Sequence, residues 1–75
     1  MALVQRLTHK KLEKSGTHTE VECTYSIVGD DVAGRCLQID TYGSTMRENP
    51  ATVSQTIRLA PEAIQQLKAL LQKHF

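Results

Sequence analysis

Around residue 60 the repeat of apolar side chains changes from two to about 3.6 with no linker between the two patterns. In Val53, Ser54, Gln55, Thr56, Ile57, Arg58 and Leu59 the side chains alternate as they do along a strand. From Ala60 onward Ile64, Leu67 and Leu71 fall on one helical stripe. Pro61 stands at the change. Its fixed φ suits a first helical position, where the amide it lacks has no intrahelical partner. A helix launched from a strand end with no slack must lie against the sheet to which that strand belongs. The last third of the chain is therefore a strand and the helix that covers it, and the rest of the sequence has to complete the sheet.

Earlier stretches supply the other strands. Residues 3–7 alternate Leu3, Gln5 and Leu7 against Val4 and Arg6, which reads as a short edge strand. Residues 19–28 place Val21, Cys23, Tyr25 and Ile27 on one face and Glu22, Thr24 and Ser26 on the other, with β-branched and aromatic residues enriched. Gly29, Asp30, Asp31, Val32, Ala33 and Gly34 carry turn chemistry. The chain then reverses into residues 35–42, where Leu37 and Ile39 share one face and Cys36, Gln38, Asp40 and Tyr42 the other. Residues 43–52 form a polar connection longer than an ordinary hairpin loop, and loops of that length are more often functional. The expected architecture is α+β: a four-stranded antiparallel sheet with one C-terminal helix of about four turns on one face. The reverse face is expected to be polar, with Arg6, Glu22, Thr24, Ser26, Gln38, Asp40, Tyr42, Ser54, Thr56 and Arg58 on it.

At 75 residues the chain forms one domain around one small core. Cores of this size leave only about 3–5 kcal/mol of net stability, so a second subunit is expected to help hold the fold. The helix stripe points the same way, because Ala63, Leu67, Leu70 and Leu71 make it wider than one docking face requires; these residues are expected at a helix-to-helix homodimer interface. The net charge of +1 does not advertise nucleic acid or an anionic membrane. Two cysteines are too few for a disulfide framework and lack zinc-module spacing, which fits a reducing cytoplasm. If the hairpin turns near Asp31 and Val32, Cys23 pairs near Asp40 and Cys36 near Ile27, on opposite faces and too far apart to bridge. Cys23 reads as a small core hydrophobe. No apolar run approaches the length that spans a bilayer.

Chemistry-bearing residues read mostly as structure. His9, His18 and His74 are scattered without ligand spacing, so no metal or cofactor is expected. Lys73 and His74 complement the negative end of the helix dipole. Asp30 and Asp31 are adjacent carboxylates in a turn, where Asp bonds local amides. Neither a phosphate loop nor a nucleophile motif is present, and no catalytic residue is assigned.

The second half of the chain carries a resemblance. Leu37, Gln38, Ile39, Asp40, Thr41 and Tyr42, a polar loop with Arg47, then Ser54 to Pro61 and Glu62 before a Leu-rich helix, resemble the single-stranded DNA-binding transcriptional-coactivator family, the positive-cofactor-four group and its small bacterial and phage relatives. The resemblance implies a curved four-stranded sheet, dimerisation through the helices, and nucleic acid on the sheet and hairpin tips. Tyr42 takes the aromatic place, Arg47 the basic loop place, and Leu59 with Glu62 the strand-to-helix junction. The chain departs from the family in having Tyr42 where Trp is usual and Ala51, Thr52 and Val53 where Gly and Lys precede the fourth strand. Two functions follow as expectations. One is a non-enzymatic single-stranded nucleic-acid binder, with Lys10, Lys11, Lys14, Arg35, Arg47 and Arg58 contacting phosphate and Tyr42 stacking on a base. The other is a small regulatory module that binds a protein partner through its exposed sheet face or the 43–52 loop.

Overall fold

The computed structural model describes residues 1–43 and 52–75. Four strands, β1 (Ala2–Val4), β2 (Cys23–Asp30), β3 (Gly34–Tyr42) and β4 (Val53–Leu59), precede one helix, α1 (Pro61–His74). They form one sheet in the order β1-β4-β3-β2. The fold is α+β, as the sequence implies. β3 and β4 pair antiparallel, as do β2 and β3, but β1 runs parallel to β4, with Ala2 beside Ile57 and Val4 beside Leu59. The all-antiparallel expectation is corrected on this pair. Period-two alternation identifies a strand and its two faces; it is silent on which neighbour the strand takes and in which direction.

The reason for the parallel edge lies at the junction. The Ala60 N–H donates to the Val4 carbonyl at 2.9 Å, just beyond the last β1–β4 pair. Ala60 is the residue before the helix, extended at φ −72° and ψ 163°, and no side chain caps it. Its carbonyl then accepts the first helical bond from the Ile64 N–H at 3.0 Å. β1 thus satisfies a backbone donor at the helix start, where four amides lack intrahelical partners. Pro61 removes one of these four, and Glu62 in the first turn and Lys73 and His74 in the last match the dipole. The observed helix and fourth strand coincide with the sequence reading.

Leaving β1, the chain runs without regular structure through residues 5–22 to reach the opposite edge of the sheet at β2. This arm is tied to α1 by one side chain. The Leu7 N–H donates to Gln66 Oε1 at 2.7 Å and the Gln66 amide donates back to the Leu7 carbonyl at 3.0 Å, so a glutamine takes the place of a neighbouring strand. The strand expected over residues 3–7 therefore ends early, at Val4. Residues 19–22, expected in the second strand, precede β2.

The β2–β3 hairpin has the expected turn. Asp30 Oδ1 accepts from the Val32 and Ala33 amides, both at 2.8 Å, and Gly34 closes the loop at φ +88°. A side chain at that φ is strained even though the space around it is open, the nearest atom being Pro61 Cγ at 3.9 Å.

α1 packs over β3 and β4. The fully covered apolar residues gather at the junction: among the described residues Cys36, Leu59, Ala60 and Ala63 are buried, Ala63 at 0% exposure. One sequence reading is corrected here. Cys23, expected in the core, is exposed, because it lies on the edge strand beyond the reach of the helix. Cys36 stays on the face shared with Gln38, as the alternation implies, and is buried at 1% exposure. The register pairs Cys23 with Thr41 and Cys36 with Val28, one residue from the expected partners, and both cysteines are free.

Two substitutions measure this packing. Leu59→Ala removes a buried side chain at the junction and is expected to cost about 2–5 kcal/mol, whereas Gly34→Ala costs about 1–2 kcal/mol from backbone strain alone. Urea denaturation checks both.

Candidate interaction surfaces

Strand register divides the sheet into two different faces. On the face away from the helix, Thr24, Asp40 and Thr56 stand side by side across β2, β3 and β4, and Ser26, Gln38 and Arg58 form the next row. These side chains are bonded to one another. Thr56 Oγ1 donates to Asp40 Oδ1 at 2.6 Å, and the Gln38 amide donates to Asp40 at 3.2 Å. Arg58 donates from its Nε and NH2 groups to Gln38 Oε1 at 3.2 and 2.7 Å, and its NH1 group lies 3.5 Å from Asp30 Oδ2. Thr24 and Tyr42 hydroxyls meet at 3.1 Å. The expected polar face is therefore present, as a lattice of mutually satisfied groups that includes two carboxylates.

This lattice changes the standing of Arg58. The sequence shows a cation on an outward face, ready for phosphate. In the fold its guanidinium is already spread over Gln38 and Asp30, so an incoming phosphate must displace those bonds. Asp30 is in turn held below the ordinary carboxylate range, first by the Ala33 amide, then by that of Val32, with Arg58 adding a smaller attraction against partial desolvation. A depressed carboxylate stabilises the fold fully above its unfolded value, near 3.9, and that contribution is lost as pH falls through the folded value.

The other described cations expected to bind nucleic acid belong to different parts of the fold. Arg35 pairs with Gly29 and so belongs to the helix-side face, opposite to Arg58 and Tyr42. Lys11 and Lys14 are exposed on the arm. Lys10 lies at a groove between the arm and α1, where His9, Leu70 and Lys73 also contribute. Arg47 and residues 44–51 of the polar connection lie outside the described residues. Among the described residues no group of His, Cys, Asp and Glu has the arrangement of a metal site.

The helix-side face carries the feature that composition alone concealed. Cys23, Tyr25 and Ile27 of β2 stand beside Thr41, Ile39 and Leu37 of β3, and Ile57 continues the row on β4. Because the helix covers mainly β3 and β4, Tyr25 stays 76% exposed and Ile27 57%, and Ile57 is nearly half exposed. A groove between α1 and the β2 side is lined by Ile27, Leu37, Pro61 and Ile64, with Lys68 at its rim. The last turns of the helix add exposed Leu70 and Leu71, and Phe75 follows at its C-terminal cap, also exposed. Of the four residues expected at a helix-to-helix interface, Leu70 and Leu71 are exposed and Leu67 is half-buried. Ala63 is corrected: fully buried against its own sheet, it has no surface to offer. The sequence signal for Tyr25 and Ile27 was their alternation, which assigns them to the helix side; their exposure depends on how far one helix reaches.

No protein-family model, curated protein or solved structure matches the chain. No described helix is long and apolar enough to cross a membrane.

Asp30→Asn keeps an oxygen for the turn amides and removes the charge. It is expected to be less stable than the parent at neutral pH, with the difference closing as the solution is acidified through and below pH ~4. Thermal melts of both proteins across that range are the check.

Proposed function

We propose that this chain is a non-enzymatic interaction module that works as a homodimer and engages protein through its helix-side surface. One observation supports the reading above others: Tyr25, Ile27, Ile57, Leu70, Leu71 and Phe75 are exposed on or beside the face that α1 only partly covers. Large exposed apolar patches on small proteins mark contact surfaces, since leaving them in water forfeits about 25 cal/mol per Å². The polar reverse face is internally bonded and so serves the fold first. Two free cysteines fit a cytoplasmic setting.

A second reading, single-stranded nucleic-acid binding, rests on a different observation. Lys10 and Lys73 meet at the groove between arm and helix, with Lys11 exposed alongside. This route follows the arm and the helix flank, whereas the family resemblance implies the sheet. Tyr42 has its hydroxyl engaged by Thr24 and is half-buried, which limits its ring as a stacking platform.

The two readings differ in their response to salt. Apolar association is expected to persist or strengthen as salt rises; phosphate binding weakens steeply because condensed counterions are no longer released at a profit in entropy. Sedimentation of the protein alone and fluorescence anisotropy with a labelled single-stranded oligonucleotide, each at low and at physiological salt, separate them. Salt-insensitive association without oligonucleotide binding is the expected result. Salt-sensitive oligonucleotide binding by a monomer reverses the assignment.

A further inference from the structure

β2 has an open edge. The Tyr42 N–H donates to the Glu22 carbonyl at 3.0 Å, which fixes the phase of the ladder between β2 and β3. Antiparallel bonding alternates along the strand, so Thr24, Ser26 and Val28 turn their backbone groups toward β3. Cys23, Tyr25, Ile27 and Gly29 turn theirs outward, and β2 is terminal in the sheet order. The residues from Cys23 to Gly29 include no charge, no proline and, in their pairing with β3, no register shift. These are the devices by which edge strands normally avoid pairing with another chain. The opposite edge, β1, is three residues long.

We propose that β2 pairs antiparallel with β2 of a second copy about a two-fold axis at Ser26, joining the two sheets into one of eight strands. This deepens the interaction-module reading, on which it rests, by naming the occupant and the seam. In this register Cys23 stands opposite Gly29 of the second copy and Tyr25 opposite its Ile27. All four outward residues of each copy then exchange bonds, the largest number that β2 offers. On the helix side two aromatic–β-branched cross-strand pairs form, a favourable combination, between the two large apolar side chains that the strands leave most exposed. The grooves between α1 and β2 merge into a single trough floored by Tyr25 and Ile27 of both copies. Glu22 comes opposite Asp30 at each end of the seam, and Asp30 is already matched by Arg58 at 3.5 Å.

Surface area favours a second copy. The protomer exposes 6716 Å², while a compact monomer of 8.4 kDa exposes about 4,600 Å². The excess, part of it carried by the extended arm, is larger than the ~800 Å² that each partner gives to a standard interface. A strand that repeats itself across a two-fold axis needs no matching sequence in another protein.

Cross-linking tests the seam. Ser26 faces its own copy at the axis in a non-hydrogen-bonded pair, where the Cα atoms approach to about 4.5 Å, within disulfide range. Ser26→Cys in a Cys23→Ser background is expected to form a disulfide-linked dimer under mild oxidation and none in denaturant; Cys36, being buried, stays out of the reaction. Leu70→Cys in the same background is the control for a helix-to-helix dimer. In the unmodified chain Ile27→Pro removes an outward amide that the protomer does not use, and is expected to give a folded monomer by circular dichroism and sedimentation. A dimer that cross-links through Leu70→Cys and not through Ser26→Cys overturns the β2 seam and leaves the interaction-module reading standing. A protein that stays monomeric at micromolar and millimolar concentration, with neither cross-link, overturns both.

Discussion

The fold depends on the hydrogen bond from the Ala60 amide to the Val4 carbonyl. Ala60 is where a strand becomes a helix, and at such a point the backbone has left the sheet ladder without yet entering the helical one. An unpaired amide beside buried Ala60 and Leu59 costs free energy comparable to a lost hydrogen bond. β1 removes that cost by running alongside β4 in the same direction, so that the carbonyl of Val4, opposite Leu59, accepts from the next amide along. The rest follows geometrically. A parallel edge strand cannot return by a tight turn, so residues 5–22 must travel to the far edge of the sheet, and Gln66 holds the start of that path against the helix.

The same arrangement explains why the two faces of the sheet behave differently. The helix starts at the β4 end and lies over β3 and β4, which leaves β2 outside its cover. The side chains of β2 on that side are apolar because they belong to the core-facing alternation; they are exposed because one helix is too narrow for four strands. On the reverse face there is no helix, and the sequence compensates with groups that bond one another. Gln38 is central there, accepting from Arg58 and donating to Asp40, so that both a cation and an anion are held without a buried unsatisfied atom among the described residues. A polar surface of this kind is compatible with water and offers few free groups to a phosphate backbone.

The proposed contact surface therefore lies at the edge of the helix-side face. An uncharged strand with four outward-facing backbone positions and two large exposed side chains is unfavourable for a solitary protein and well suited to pairing. Among the described residues the cations sought for nucleic acid are divided between the two faces and the arm. Net charge near zero already implied weak long-range attraction; the placement of Arg35 opposite Arg58 weakens it further.

By itself the sequence determined the elements whose signals are local. The change of period at Leu59 and Pro61 set the last strand and the helix, and the Asp30 to Gly34 turn set the central hairpin, because φ preferences and side-chain-to-amide bonds act within a few residues. Alternation also set which residues share a face, and so predicted the polar face of Gln38, Asp40, Thr56 and Arg58. Tertiary structure decided what depends on distance between elements. It chose the partner and direction of β1, left Cys23 exposed while burying Cys36, buried Ala63, tied Arg58 to Gln38 and Asp30, and left Tyr25 and Ile27 uncovered. Each of these turns on how far a helix reaches across a sheet or which distant backbone group lacks a partner, and neither is written in the spacing of residues along the chain.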